Sequence, residues 1–224
     1  MGRDHHPKER QRQQLARKKN QRAGYDRILI VSEGSKTEPN YFEEIRKKYR
    51  LRTANIQVQP GELGTDPIQV VQYAYELFIN GDPNKRISMR GFEQVYAVFD
   101  RDEHRGYFNA LKKAESYDGK LRNDFKQAVT FKAIASVPSF ELWLLLHYED
   151  IQASLHRDEV MRRLKRYIHG YEKGVGNAFA LTCEHLDIAS QRAEKLAERF
   201  NAYDGTEPYT AIFELVKLLS TLDV

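Results

Sequence analysis

The chain has 224 residues, 41% of them hydrophobic, and a formal net charge of +4. That length fits one domain with an appendage, and that apolar fraction is enough for a real core. No apolar run approaches the roughly 20 residues that span a bilayer; the longest, Phe140 to Leu146, is interrupted by Glu141.

The charge is unevenly placed. Residues 1–24 hold eight Lys or Arg against Asp4 and Glu9, a net of +6, so the body carries −2 of the chain's +4. An arm so poor in apolar residues cannot bury surface and is expected to be disordered when free. Two readings stay open for it: a phosphate-seeking tail that adds sequence-independent affinity for nucleic acid, or a solvated leader. It has no apolar stretch and does not read as a secretion signal. The single cysteine, Cys183, excludes an internal disulfide framework and fits a reducing compartment. The expectation is a cytoplasmic protein without a membrane segment.

Past the arm, Arg27 to Ser32 reads as a strand buried on both faces. A helix follows over about 39–49, with Pro39 near its start and Tyr41, Phe42, Ile45 and Tyr49 on one face. Ile56 to Gln59 is a short strand, broken by Pro60-Gly61. Thr65 or Asp66 then caps a helix that opens at Pro67 and runs to about Ile79, with Ile68, Val71, Ala74, Tyr75 and Phe78 inward. Asn80 to Asn84 stops it. Gln94 to Phe99 is the third strand, Gly106 to Ser116 a helix, and Val129 to Val137 the fourth strand. Ser139 to Tyr148 reads as a helix capped by Ser139, with Glu141 in its first turn. No strong strand signal follows residue 150. Helices are expected at about 156–168, 184–201 and 209–221, with Gly170, Gly174 and Gly176 marking a flexible connection. No internal repeat is present. Alternating strands and helices imply an α/β fold with a mostly parallel sheet. The expected organisation is a basic arm (1–24), an α/β core (25–150) and a helical extension packed on it (151–224).

Two strands end in carboxylates. The first runs into Glu33-Gly34 and the third into Asp100-Arg101-Asp102. Ligands bind beyond the carboxyl ends of parallel strands, so Glu33, Asp100 and Asp102 are expected at one edge. Three carboxylates that close cannot all stay ionised without a cation, which points to a hard divalent ion, Mg²⁺ or Mn²⁺, and to phosphate chemistry.

The loop Ser32-Glu33-Gly34-Ser35-Lys36-Thr37-Glu38 lacks the glycine spacing and Gly-Lys-Thr order of a Walker A motif. It reads either as a phosphate-and-metal loop of another kind or as a polar turn. Glu141 either favours its helix N-terminus or adds a carboxylate to the site. Glu38 and Glu141 are therefore further candidate ligands. Lys36, Arg101 and Arg105 are candidate phosphate contacts. His147 reads as a core or edge histidine, and the charges of 156–168 as a solvated face, with a nucleic-acid- or partner-contacting face as the alternative. One cysteine and the histidine spacing exclude a zinc site, and no Gly-x-Ser-x-Gly elbow is present.

Ile-Leu-Ile-Val-x-Glu-Gly-x-x-Thr-Glu-x-x-Tyr-Phe at 28–42, Val-Phe-Asp-x-Asp at 98–102, Pro-Ser-Phe-Glu-Leu-Trp-Leu-Leu-Leu-His at 138–147 and Pro-Tyr-Thr at 208–210 together resemble the RloB family over about 25–220. The resemblance implies a Toprim-like core, with Glu33 at the family's glutamate after the first strand and Asp100 and Asp102 at its DxD. It also implies a Mg²⁺-dependent nuclease acting on RNA or DNA in bacterial defence against phage, and a partner ATPase. The rival expectation is a non-catalytic nucleic-acid-binding or regulatory subunit of such an ATPase. A homo-oligomer is left open.

Overall fold

The computed structural model describes residues 26–52, 56–60, 62, 66–174 and 176–222. The basic arm, and Thr65 as a cap, lie outside the described residues. Five strands form one sheet in the order β2-β1-β3-β4-β5. They are β1 (Ile28–Ser32), β2 (Ile56–Pro60), β3 (Gln94–Asp100), β4 (Thr130–Val137) and β5 (Tyr209–Thr210). The first four are parallel, and β5 pairs antiparallel with the end of β4, Ser136 opposite Thr210.

The continuous apolar runs of β1 and β3 follow from cover on both faces. Successive side chains alternate. Ile28 and Ile30 of β1 and Tyr96 and Val98 of β3 enter one core, while Leu29, Val31, Val95, Ala97 and Phe99 enter another. The first core is closed by α1 (Thr37–Lys48), α4 (Glu141–Leu146), α5 (Arg157–Tyr167), α6 (Ala178–Thr182), α7 (Leu186–Arg199) and α8 (Ile212–Thr221). The second is closed by α2 (Pro67–Asn80) and α3 (Tyr107–Tyr117). The C-terminal helices thus share one core with β1 and β3.

Neighbouring β1 and β3 send the chain to opposite faces, β1 into α1 and β3 into α3. That is a topological switch point, and the crevice it opens at the strand ends is where open α/β sheets bind ligands. Glu33 and Asp100 sit there.

Asp66 caps α2: its carboxylate accepts from Ile68 N at 3.0 Å and its own N–H donates to the Gln69 side chain. The inward face of α2 is wider than expected, since Val70, Tyr73 and Leu77 are buried with Val71, Ala74 and Phe78, while Ile68 and Tyr75 sit at its margin. Helix α1 starts two residues early, at Thr37, which puts Glu38 in its first turn. Helix α4 is shorter than expected and Ser139 does not cap it; the hydroxyl donates instead to Glu141 Oε2 at 2.7 Å. Trp143 is fully buried and donates to Tyr41 Oη at 2.7 Å. His147 is buried, with Nδ1 2.9 Å from the Trp143 carbonyl, and burial pushes its pKa down to about 4.

Two elements of the C-terminal third differ from expectation. The stretch 209–221 divides into β5 and α8, because Tyr209 and Thr210 pair with β4 and the Thr210 hydroxyl meets the Ser136 hydroxyl at 2.9 Å. Helix α6 and a 3₁₀ turn at Cys183–His185 precede α7, where a single helix was expected from 184.

Candidate metal and phosphodiester site

Glu33 leaves β1 with its N–H donating to the Val98 carbonyl at 2.8 Å, which keeps it on the sheet edge. Its carboxylate turns to β3 and accepts the Asp100 N–H at 3.0 Å. Glycine follows, and a Cβ on Gly34 would meet the Glu38 carboxylate, so the Glu38 side chain could not keep its place with a larger residue there. Early entry into α1 therefore brings Glu38 back against the turn, buried.

Asp100 is the last residue of β3. By alternation it lies on the face of Tyr96 and Val98, the side roofed by α1 and α4. Glu141, at the start of α4, is 2% exposed. Its Oε2 accepts from Ser139, its Oε1 lies 3.5 Å from Tyr171 Oη, and Lys173 Nζ stands 3.4 Å from Oε2.

The fifth acid departs from expectation. A DxD continuing a strand would aim both carboxylates alike, but β3 ends at Asp100 and Asp102 adopts a left-handed backbone (φ 38°). Its N–H donates to the Pro138 carbonyl at 3.1 Å, and its Oδ2 accepts from Arg157 Nη1 at 3.0 Å. Asp102 Oδ1 is buried without a hydrogen-bond partner.

The acids feel one another. Burial, with the charge of Asp102 adding to it, pushes the Glu33 carboxyl up to about 7 against the opposing hydrogen bond from Asp100. Burial, then the charges of Glu141 and Glu33, push Glu38 up to about 7. Asp100 rises well above the usual carboxylate range, through burial first and then Glu38, Glu141, Glu33 and Asp102. For Lys173, burial works against the charged form, but Glu141, Asp100 and Asp102 outweigh it and hold the ammonium on.

Sequence reasoning brought together Glu33, Asp100, Asp102, Glu38 and Glu141, and Asp100 feels the charge of each of the other four. Its phosphate contacts fare differently. Arg105 is exposed and Lys36 lies beside the loop. Arg101 is drawn off: it donates to the Gly205 carbonyl and packs 5.8 Å over the Phe108 ring.

Four residues went unread. Lys173 and Tyr171 belong to the glycine-marked connection, which is fastened to the site where the Gly174 N–H donates to Thr37 Oγ1 at 2.8 Å. Gly174 is left-handed (φ 84°), and a Cβ there would lie 2.9 Å from Lys36 Cδ. His104 Nε2 stands 3.5 Å from Glu33 Oε1. Arg157 came from a helix read as a solvated face.

Among the described residues no group of three or more His, Cys, Asp or Glu stands close enough together to hold a metal ion as the side chains lie. The cause is visible in the partners: Glu33 is turned to a backbone N–H, Asp102 to Arg157, Glu141 to Ser139 and Lys173. No helix among those residues is long and apolar enough to cross a membrane.

The fold and site define an α/β protein with a buried acidic cluster at the switch point of a mostly parallel sheet. The RloB-like protein family model matches residues 28–219, and the chain belongs to that family. No curated protein and no solved structure gives a match.

Proposed function

We propose that this chain is a divalent-metal-dependent nuclease with a Toprim-like core, cleaving RNA or DNA phosphodiesters in the defence setting that the RloB resemblance implies. The observation that carries this reading is the gathering of Glu33, Glu38, Asp100, Asp102 and Glu141 in one crevice, against Lys173 and, at its margin, Arg157 and His104. Buried like charges so poorly compensated mark functional sites more often than structural ones.

The residues fit a hard cation. The donors are all carboxylate oxygens, and Asp102 Oδ1 is buried with nothing to accept from. Asp100, Asp102 and Glu33 would hold Mg²⁺ or Mn²⁺, with Glu38 and Glu141 available to a second ion. When bound, the ion supplies Lewis-acid polarisation of a phosphoryl oxygen and a more acidic water. As the alternative to ligating the ion, Glu33 would act as general base: the Asp100 N–H orients its Oε2, and Oε1, 3.5 Å from His104 Nε2, would take a proton from water. Lys36 and Arg105 meet the flanking phosphates.

One observation favours the rival, a non-catalytic nucleic-acid-binding or regulatory subunit of a partner ATPase. Glu141 and Asp102 already have protein donors, Lys173 and Arg157, so part of the charge is compensated internally. Incubating labelled RNA and DNA oligonucleotides with Mg²⁺, Mn²⁺ or EDTA separates the two. Cleavage that requires the ion and disappears in Asp100→Asn supports the nuclease. Binding without cleavage, with and without the ATPase, supports the rival.

A further inference from the structure

A cavity of about 310 Å³ adjoins the carboxylate cluster and shares Asp102 with it. Its apolar wall is Val137, Pro138 and Leu155; Arg101, Arg157 and Thr206 add guanidinium and hydroxyl donors. That volume is at the lower end of small-ligand sites, about 300–1,000 Å³. It admits a base with its sugar and has no room for a duplex.

Arg101 leads out of the cavity. Its guanidinium lies 5.8 Å from the Phe108 ring centroid, and Phe108 stacks on Tyr203 at 6.1 Å with 13° between the rings. Phe108 is 38% exposed and Tyr203 40%. The two rings already cover one face of each other, and Tyr203 Oη donates to Glu115 at 2.8 Å, so a base would stack on the exposed outer surface of the pair, as bases of single-stranded nucleic acids do on aromatic side chains. The loop that supplies Tyr203 also supplies Thr206 and the Gly205 carbonyl that holds Arg101, so ladder and cavity are one surface.

Asp102 and Glu103 on the cavity rim argue against a phosphate inside it. The fit is a base and sugar within, with the sugar–phosphate backbone passing along the mouth of the cavity. We propose that the cavity and the Arg101–Phe108–Tyr203 ladder form a track for an unpaired strand, seating one nucleotide beside the scissile phosphodiester. This deepens the nuclease reading and rests on it for the position of that phosphate.

The test is fluorescence anisotropy of the full chain with labelled twelve-residue thymidine and uridine oligomers and a duplex of equal length. EDTA silences cleavage, and physiological salt suppresses the basic arm's non-specific contribution. Single strands bind at least tenfold more tightly than the duplex. Phe108→Leu and Tyr203→Leu, at half-exposed positions that keep the fold, each weaken strand binding about tenfold and leave duplex binding unchanged. Leu155→Trp, which fills the cavity, does the same. Either strand chemistry with this pattern supports the track, and the tighter one identifies the sugar. Equal duplex binding, no strand binding, or unchanged binding by variants of native melting temperature overturns it. The two readings fail separately: selective strand binding without metal-dependent cleavage removes the nuclease and keeps the track, whereas duplex cleavage undiminished in Tyr203→Leu keeps the nuclease and removes the track.

Discussion

Arg27, just before β1, and Glu33, just after it, are both charged groups sequestered at an end of the same strand, yet their surroundings differ in balance. At the amino end the Arg27 guanidinium lies 2.6 Å from Glu93 and 2.6 Å from Asp124, and Asn123 donates to Glu93 at 3.0 Å. Burial would raise the Glu93 carboxyl, but hydrogen bonds from Arg27 hold it below its ordinary value. At the carboxyl end five acids share Lys173, half of whose side chain is in solvent, and Arg157 at the margin. There Glu33, Glu38 and Asp100 are pushed upward. The same sheet thus holds charge once as a matched network that stabilises the fold and once as an imbalance that costs stability.

The largest expected effect separates these roles outright. Asp100→Asn should cut metal-dependent cleavage at least about a hundredfold while raising the stability of the metal-free chain, since the carboxyl that burial and its acidic neighbours disfavour in its charged form is gone. Glu93→Ala should do the reverse at the other end. It strands half of the Arg27 pairing and should cost about 3 kcal/mol in urea denaturation, with cleavage per folded molecule unchanged. If both substitutions destabilise alike, the contrast between the two ends is wrong.

How much of this was legible depended on the range of the signal. β1 and β3 could be read because burial on both faces leaves continuous apolar runs, and the acids ending them followed directly. The RloB membership could be read because its motifs are ordered along the chain. β5 could not, since two residues carry no period; it exists because Thr210 finds Ser136 of β4. Lys173 and Arg157 are unremarkable by local pattern, and only the packing of the C-terminal third onto the sheet brings them to the acids. Asp102 was placed beside Asp100 by a strand geometry that the backbone does not follow, because the strand stops one acid earlier.

A smaller effect reads the imbalance through pH. Glu38 is pushed from 4.5 to about 7, so the native chain keeps a proton that the unfolded chain has released across that window. Stability therefore falls as pH rises from about 4.5 to about 7, then levels. Glu38→Gln cannot ionise. Its stability should match that of the wild type near pH 4.5 and exceed it by about 3 kcal/mol at pH 8. Taking the difference between the two proteins cancels the opposite slope from His147, which resists protonation until about pH 4. A difference that stays flat with pH removes Glu38 from the charged cluster.

The smallest effect tests whether Lys173 is the cluster's own counter-ion. Its ammonium is half-exposed, so Lys173→Met should cost about 1 kcal/mol or less without divalent ions, more at low ionic strength where screening is weak. The sign should then reverse with metal. A lysine that neutralises the acids competes with an incoming cation, so the variant should bind Mn²⁺ more tightly by calorimetry and recover its lost stability as the ion is added. A variant that is less stable and also binds Mn²⁺ more weakly would make Lys173 a support for the connection at Gly174, with the acids balanced by something else.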